Sequence, residues 1–328
     1  MKNKTEIKQL NEIFESPISI NNNIIGSDIF LKKIEVNQKQ TKDIFSNKWT
    51  EFEKIEIKKN FHKSQLEWFL TLYGFSSEQD FKLFLSDKKI ILDAGCGLGY
   101  KSAWFAELAP NAKVIGVDIS DSITIAAENY KHLKNLFFYR ADIAKTGLKN
   151  NSIDFTVCDQ VIMHTEAPEK TFRHLSKITS QNGEFACYVY RKKALPRELL
   201  DDHFRLATHD FTNDQLWEMS AQLTELGKRL SDLKINIESP DIPLLGIKGG
   251  SYDLQRFIHW NFIKCFWRED WGKEMSDATN FDWYAPSNAK RYSESEFKKI
   301  IEENKLRILN FHKEEACFST RMLKKNLA

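Results

Sequence analysis

The sequence predicts an α/β protein, a mostly parallel sheet with helices on both faces and a helical insertion late in the chain. Three observations predict it. From residue 89 to 192 short apolar runs alternate with helix-like segments. The junction "IILDAGCGLGY" (90–100) places Gly95, Gly97 and Gly99 at every second position between a strand and a helix. Four of the runs end at or near an acid: Asp93, Asp118, Asp142 and Asp159. Parallel strands need a crossover between them, and the alternating helical segments supply it.

The elements follow in order. Residues 1–60 are polar and rich in Lys, Asn and Ile, and "FSNKWTEF" (45–52) sets Phe45, Trp49 and Phe52 at helical spacing. That spacing predicts a helix packed on the core; the alternative is a segment that covers a ligand. Residues 61–85 read as helical, with Leu66, Phe69, Leu70, Leu72 and Tyr73 apolar. Strands are expected at 89–94, 113–120, 136–143, 152–162 and 183–192, and helices at 100–109, 121–133 and 168–179. Residues 193–292 break this rhythm. Thr212 and Gln215 form a capping-box signature, and Leu216, Met219, Leu223, Leu226, Leu230 and Leu233 form an apolar seam that asks for a partner helix, most simply within the chain. "GIKGG" (246–250) reads as a break, 251–271 as an aromatic-rich helix, and Trp283 and Tyr284 as loop residues. Helix 293–305 and strands 306–315 and 316–323 close the chain. The organisation expected is an N-terminal cover (1–60), a core (61–192), an insertion (193–292) and a C-terminal completion of the sheet (293–328).

Composition excludes some classes. Forty-eight basic and 46 acidic residues leave a net charge of +2, so no strong field draws the chain to nucleic acid or anionic lipid. No stretch reaches the length and apolarity of a membrane span, and "MKNKTEIKQL" lacks a secretory apolar core. The five cysteines, Cys96, Cys158, Cys187, Cys265 and Cys317, are scattered and make no C-x-x-C pair. That reads as reduced, buried thiols in a cytoplasmic protein without a structural metal.

A glycine turn between strand and helix lets a ligand approach the backbone and aims N–H groups at it. The spacing here is G-x-G-x-G, unlike the dinucleotide G-x-G-x-x-G, and no Walker lysine-serine pair follows. The acids sharpen the reading. At a strand's carboxyl end Asp118 can accept two ribose hydroxyls, and Asp142 can take the exocyclic amine of an adenine. Asp159 and Gln160 close the fourth strand.

The series "ILDAGCGLG", "VIGVDIS", "ADI", "FTVCDQVIMHT" and "GEFACYVYRKK" resembles the class I S-adenosylmethionine-dependent methyltransferases over residues 88–192. The later block, through "YVYRKK" and "NFDWYAP" (280–286), is similar to a bacterial subgroup of uncharacterised small-molecule methyltransferases. That subgroup often has two adjacent histidines where this chain has Met163-His164, and many of its members begin with a zinc ribbon whose cysteines are missing here. The resemblance implies a doubly wound, mostly parallel seven-stranded Rossmann-like methyltransferase sheet, its last strand antiparallel, with an α-helical lid insertion. It implies that Asp93, Ala94, Gly95, Gly97 and Gly99 hold the methionine part of S-adenosylmethionine, with Cys96 and Leu98 as turn fillers. Asp118 and Ile119 would hold the ribose and Ala141, Asp142 and Ile143 the adenine, while Asp159 and Gln160 would face the methionyl end and the acceptor.

Methyl transfer from a sulfonium is an in-line displacement, and a base is needed only when the acceptor must lose a proton. His164 is the expected base, with His203, His209 and His259 as alternatives in the insertion. Tyr190 and Arg191, with Tyr188, end the fifth strand near the expected acceptor, where Arg191 could grip a carboxylate or phosphate. The insertion's aromatics point to a lidded pocket for a small organic acceptor. RNA or protein as acceptor, and a non-catalytic cofactor-binding subunit, are the competing readings; a homodimer is open.

Overall fold

The computed structural model describes residues 10–26, 36–52 and 58–325. The expected cover segment 1–60 therefore lies partly outside the described residues.

Five parallel strands form the centre: β3 (Ile90–Ala94), β4 (Lys113–Asp118), β5 (Leu136–Arg140), β6 (Ile153–Cys158) and β7 (Thr179–Arg191). A short hairpin, β1 (Ser19–Asn21) and β2 (Ile24–Gly26), precedes them, and β11 (Leu306–Lys313) and β12 (Cys317–Lys324) end the chain. The order across the sheet is β1-β2-β5-β4-β3-β6-β7-β12-β11. Strand β12 runs antiparallel to both neighbours, β7 and β11, so the last strand is slipped between two earlier ones. The seven strands from β5 to β11 are those the sequence leads one to expect. The hairpin extends that set, as does the two-residue β10 (Arg291–Tyr292), which pairs with the end of β7, so the sheet has ten strands rather than seven.

Alternation along the strands divides the core into two layers. Leu92, Ile115, Phe137 and Phe185 face one side, where they meet Phe172 and Leu175. Ile91, Val114, Phe138 and Ala186 face the other, against Phe69, Phe81 and Phe105. Strands buried on both faces read as continuous apolar runs, which is why "KIIL" and "LFFY" show no polar alternation.

Helices α1 (Val36–Phe52), α2 (Lys58–Tyr73) and α3 (Glu78–Leu85) precede β3, so the stretch expected to be helical over 61–85 holds two helices, with Ser77 capping the second through Asp80 N–H. Helices α4 (Tyr100–Leu108), α5 (Ser122–Asn129) and α6 (Pro168–Ile178) make the crossovers. The expected strand tails at 119–120, 141–143 and 159–162 are loops: the polar ends leave the sheet and turn toward its carboxyl edge.

The insertion contains α7 (Leu195–Ala207), α8 (Asn213–Asp232), a separate hairpin of β8 (Asn236–Ser239) and β9 (Gly250–Asp253), α9 (Leu254–Asn261) and α10 (Gly272–Tyr284). Thr212 and Gln215 complete their capping box. The leucine seam finds its partner inside the chain. Leu216 packs with Phe281 and Ala285, and Leu223 with Trp283 and Tyr284, while Leu226 and Leu233 stay exposed. The single helix expected over 251–271 is instead strand, a two-turn helix and extended chain. Gln255 Nε2 and Asn280 bond the backbone of Cys265 and Phe266 there, so side chains do the work of a helical ladder. Trp283 and Tyr284 are buried at the end of α10, not in a loop. Helix α11 (Glu294–Glu303) has a Ser293–Glu296 capping box.

Candidate active site

A pocket opens at the carboxyl ends of β3, β4, β5 and β6, the edge where parallel sheets receive ligands. Of the residues singled out from sequence, Asp93, Gly95, Asp118, Ile119, Asp142, Ile143, Asp159, Gln160, His164 and Tyr190 line it together, and so does Cys96. Ala94 and Ala141 are fully buried beside it.

The loop after β3 is shaped by its own hydrogen bonds. Gly95 N–H and Cys96 N–H both donate to Val117 O, at 2.7 and 3.0 Å. Gly97 N–H donates to Asp118 Oδ2 at 2.9 Å. The other carboxylate oxygen accepts from Ser120 N–H at 2.8 Å and Ser120 Oγ–H at 2.6 Å. Gly97 is left-handed (φ +53°), and a Cβ there would lie 2.8 Å from the ring of Trp49. Gly99 (φ +77°) caps α4 with no side-chain bond, and a Cβ would meet the ring of Phe138 at 2.7 Å. Either substitution combines backbone strain with a clash.

Asp93 is buried, accepts Ser102 Oγ–H at 2.6 Å and makes no ion pair among the described residues. Burial pushes its carboxyl up to about 6, against the pull of Ser102 and the nearby Lys101 ammonium. Burial also raises Asp142, whose Oδ1 accepts Ala144 N–H at 2.8 Å. Asp159, like Asp118, has three donors: Tyr73 O–H donates at 2.8 Å, Lys101 Nζ forms a buried ion pair with it, and Gln160 Nε2 donates at 3.2 Å. Gln160 is left-handed (φ +64°), an unfavourable state for a non-glycine residue, and its amide also donates to Gln65 Oε1 at 3.0 Å.

His164 sits in a short 3-10 turn after β6. Asn288 O lies 2.8 Å from Nδ1; a carbonyl only accepts, so Nδ1 carries the proton. Nε2 is then the acceptor for Tyr190 O–H at 3.2 Å. Burial holds the imidazole down to about 4, so it is neutral at pH 7, and burial also raises the Tyr190 phenol. In the unfolded chain the same imidazole titrates near 6.5, so the native state binds fewer protons between the two values. Stability is fully present above about pH 6.5 and falls as pH drops toward 4, by about 3 kcal/mol from this group at 1.36 kcal/mol per unit. Urea unfolding of His164→Gln from pH 7 to pH 4 is expected to show a correspondingly shallower loss than the unsubstituted protein. Identical profiles would refute a buried neutral histidine.

Arg191 is not brought to the pocket. It is exposed, donates to Glu314 O at 3.3 Å and stacks over Phe318 on the far side of the strand. The alternatives in the insertion are also outside: His203 and His209 are exposed and His259 is buried within the insertion. Neither Trp283 nor Tyr284 lines the pocket.

Residues that the sequence did not single out, Gln38, Thr41 and Lys48, complete it together with Phe45 and Trp49 of the segment weighed as a cover. Gln38, Thr41, Phe45, Lys48 and Trp49 of α1 form its roof, so this helix covers the pocket besides packing on the core. The roof is tied down by Lys48 Nζ to Asp282 Oδ2 (2.7 Å), Gln40 Nε2 to Ala285 O (2.9 Å) and Trp217 Nε1 to Asn47 Oδ1 (3.0 Å). Glu166 N–H reaches Gln38 Oε1 at 2.9 Å. Tyr100, Lys101 and Gln65 add a polar wall.

A sheet of this order, with its glycine turn and its acids gathered at one edge, defines a class I S-adenosylmethionine-dependent methyltransferase fold. Residues 85–241 match the family model described as a methyltransferase domain, and the chain carries a domain of that family, whose cofactor is S-adenosylmethionine. The matched span ends inside the insertion. Among relatives, an uncharacterised methyltransferase of Schizosaccharomyces pombe is 28% identical, the match covering 36% of this chain and 49% of that protein. A malonyl-[acyl-carrier protein] O-methyltransferase of Legionella pneumophila is 30% identical over 28% of this chain and 33% of its own length. The chain thus spans about half of the first relative and a third of the second. Among solved structures, an S-adenosylmethionine-dependent methyltransferase from Aquifex aeolicus has a TM-score of 0.41 and 16% identity, covering 78% of this chain and 92% of that one. No helix among the described residues is long and apolar enough to cross a membrane.

The residues present fit the cofactor. A carboxyl raised by burial, as at Asp93, is a place where a cationic ligand group gains by restoring its charge, and S-adenosylmethionine carries both an ammonium and a sulfonium.

Proposed function

We propose that the protein transfers a methyl group from S-adenosylmethionine to a small organic acceptor bound beneath helix α1. The observation that carries this reading is one continuous pocket running from the acids of the glycine edge to the Tyr190–His164 pair under a single roof. Asp93 and the loop of Ala94, Gly95, Gly97 and Gly99 take the methionine part. Asp118 and Ile119 take the ribose, Ala141, Asp142 and Ile143 the adenine, and Asp159 and Gln160 border the methionyl end.

Bound S-adenosylmethionine supplies an electrophilic methyl carbon. The chain's part is to orient, to exclude water and to move a proton. The roof and the aromatic faces of Phe45 and Tyr190 keep water from the reacting centre. His164 Nε2 accepts from Tyr190 O–H, so a proton leaving the acceptor can pass to the phenol oxygen as the phenolic proton moves to the imidazole. Near-balanced charge supports neither an RNA groove nor a polyanionic partner. The five buried, unpaired thiols support a reducing compartment such as the cytoplasm.

The test is calorimetry with S-adenosylhomocysteine, followed by turnover of an acceptor found by screening. His164→Ala is expected to lower turnover about 100-fold while changing cofactor affinity little. Equal turnover would remove His164 as the proton acceptor, and absence of binding would remove the cofactor assignment.

A further inference from the structure

Tyr190, at the acceptor end of the pocket, packs its ring on Trp283 with centroids 4.6 Å apart. Behind it, four cationic side chains gather around the Trp283 ring: Lys264 at 4.8 Å from the centroid, Arg197 at 5.2 Å, Lys193 at 5.5 Å and Arg205 at 5.6 Å. The acids nearby are mostly engaged, although the buried Oδ1 of Asp282 has no hydrogen-bond partner among the described residues. Asp201, fully buried, accepts Arg197 Nε at 2.9 Å, Trp283 Nε1–H at 2.7 Å and Tyr284 O–H at 2.9 Å. Asp282 is held by Lys48, and Glu198 and Asp202 by Arg291.

Two ammonium groups are left over. Lys193 is half-buried, and among the described residues its Nζ donates only to the carbonyls of Arg191 and Ala316. Lys264 is buried, and among the described residues its Nζ has neither a carboxylate within 4.0 Å nor a hydrogen-bond acceptor. Beside them the buried His259 Nδ1 and Trp260 Nε1 are also without partners among the described residues. Lys193 lies 5.4 Å from the centre of the Trp260 ring, and His259 is held neutral by burial amid the positive charge of Arg197, Lys264, Arg256 and Lys193. A buried ammonium with no carboxylate in ion-pair reach is strongly unfavourable, and a fold that keeps one at Lys264, beside the half-buried Lys193 and two ring nitrogens unpaired among the described residues, is short of an anion.

We propose that the methyl acceptor is a small carboxylic acid whose carboxylate is held behind Tyr190 by Lys264 and Lys193. This rests on the methyl-transfer reading and names its substrate class. A monoanion matches the site: one of the two ammonium groups is already partly satisfied by two carbonyls, and the guanidinium of Arg197 is already committed to Asp201. Burial pushes Lys264 down to about 7, with Arg197 acting in the same direction and Asp282 and Asp201 against it, and a bound carboxylate would restore its full charge.

The test uses the full chain and two probes of equal shape, benzoate and benzamide, each titrated with and without saturating S-adenosylhomocysteine while tryptophan fluorescence is followed. Benzoate is expected to give a saturable change and benzamide to bind at least about tenfold more weakly. Lys264→Met is expected to weaken benzoate about tenfold or more, to leave S-adenosylhomocysteine affinity unchanged and to raise the unfolding midpoint, because it removes an uncompensated buried charge. Lys264→Arg is expected to retain benzoate binding. Equal binding of the two probes, no binding of benzoate, unchanged benzoate affinity in Lys264→Met, or a lowered midpoint as for a structural cation would each overturn the proposal. Loss of S-adenosylhomocysteine binding by the unsubstituted protein would instead overturn the methyltransferase reading, while the comparison of probes without the nucleoside would still decide the carboxylate site.

Discussion

Asp118→Ala is expected to weaken S-adenosylhomocysteine binding roughly 100-fold or more by calorimetry. Two ribose hydroxyls donating to one carboxylate are worth about 1.5–3 kcal/mol each. The carboxylate also accepts the Gly97 N–H and both donors of Ser120, so its loss loosens the loop as well as the ribose contact. Asp118→Asn separates the two effects. It keeps the shape and one acceptor oxygen, so one side of the loop stays bonded while the amide nitrogen faces the donor on the other, and affinity falls by an intermediate amount. The unfolding midpoint of each variant, measured without ligand, reports the loop alone. Unchanged affinity in the alanine variant would remove Asp118 from the ribose site.

The second large effect is on stability. Lys101→Met leaves the Asp159 carboxylate buried with Tyr73 and Gln160 as its remaining donors and no counter-ion. Breaking one side of a buried pair costs about 3–5 kcal/mol; with two donors kept, a loss of about 3 kcal/mol in urea unfolding is expected. The double variant Lys101→Met/Asp159→Asn is expected to recover most of it, because the stranded charge is gone. A single variant as stable as the parent would show that the pair is not shielded from water.

These two residues also mark what the sequence can and cannot reveal. Asp118 is legible because a strand that is apolar to its last residue and then ends in an acid has few other uses for that acid. Lys101 is not. One residue into a helix, it reads as a surface cation, and only the approach of β6 to α4 turns it toward Asp159. The roof is only half legible, through Phe45 and Trp49, for a related reason. Gln38, Thr41, Phe45, Lys48 and Trp49 fall on one face of α1, but helical periodicity is recognised from apolar residues and most of this inward face is polar. Arg191 could have been set aside by strand geometry alone. Tyr188 and Tyr190 share a face of β7, and Arg191 must point the other way. The segment 251–271 misleads because aromatic density looks like a buried helix, whereas these rings pack around extended chain held by the side chains of Gln255 and Asn280.

The roof has a consequence for how the protein comes to be made. Its contacts join the beginning of the chain to its end: Gln40 meets Ala285 across 245 residues, and Lys48 meets Asp282 across 234. A ribosome delivers α1 long before the side of the pocket it must close against. The sheet with its glycine turn can order while the roof still waits for its partners, since contacts this far apart in sequence carry a large closure entropy and form late. Cofactor would then meet an open edge in the growing chain and a covered one only in the finished molecule.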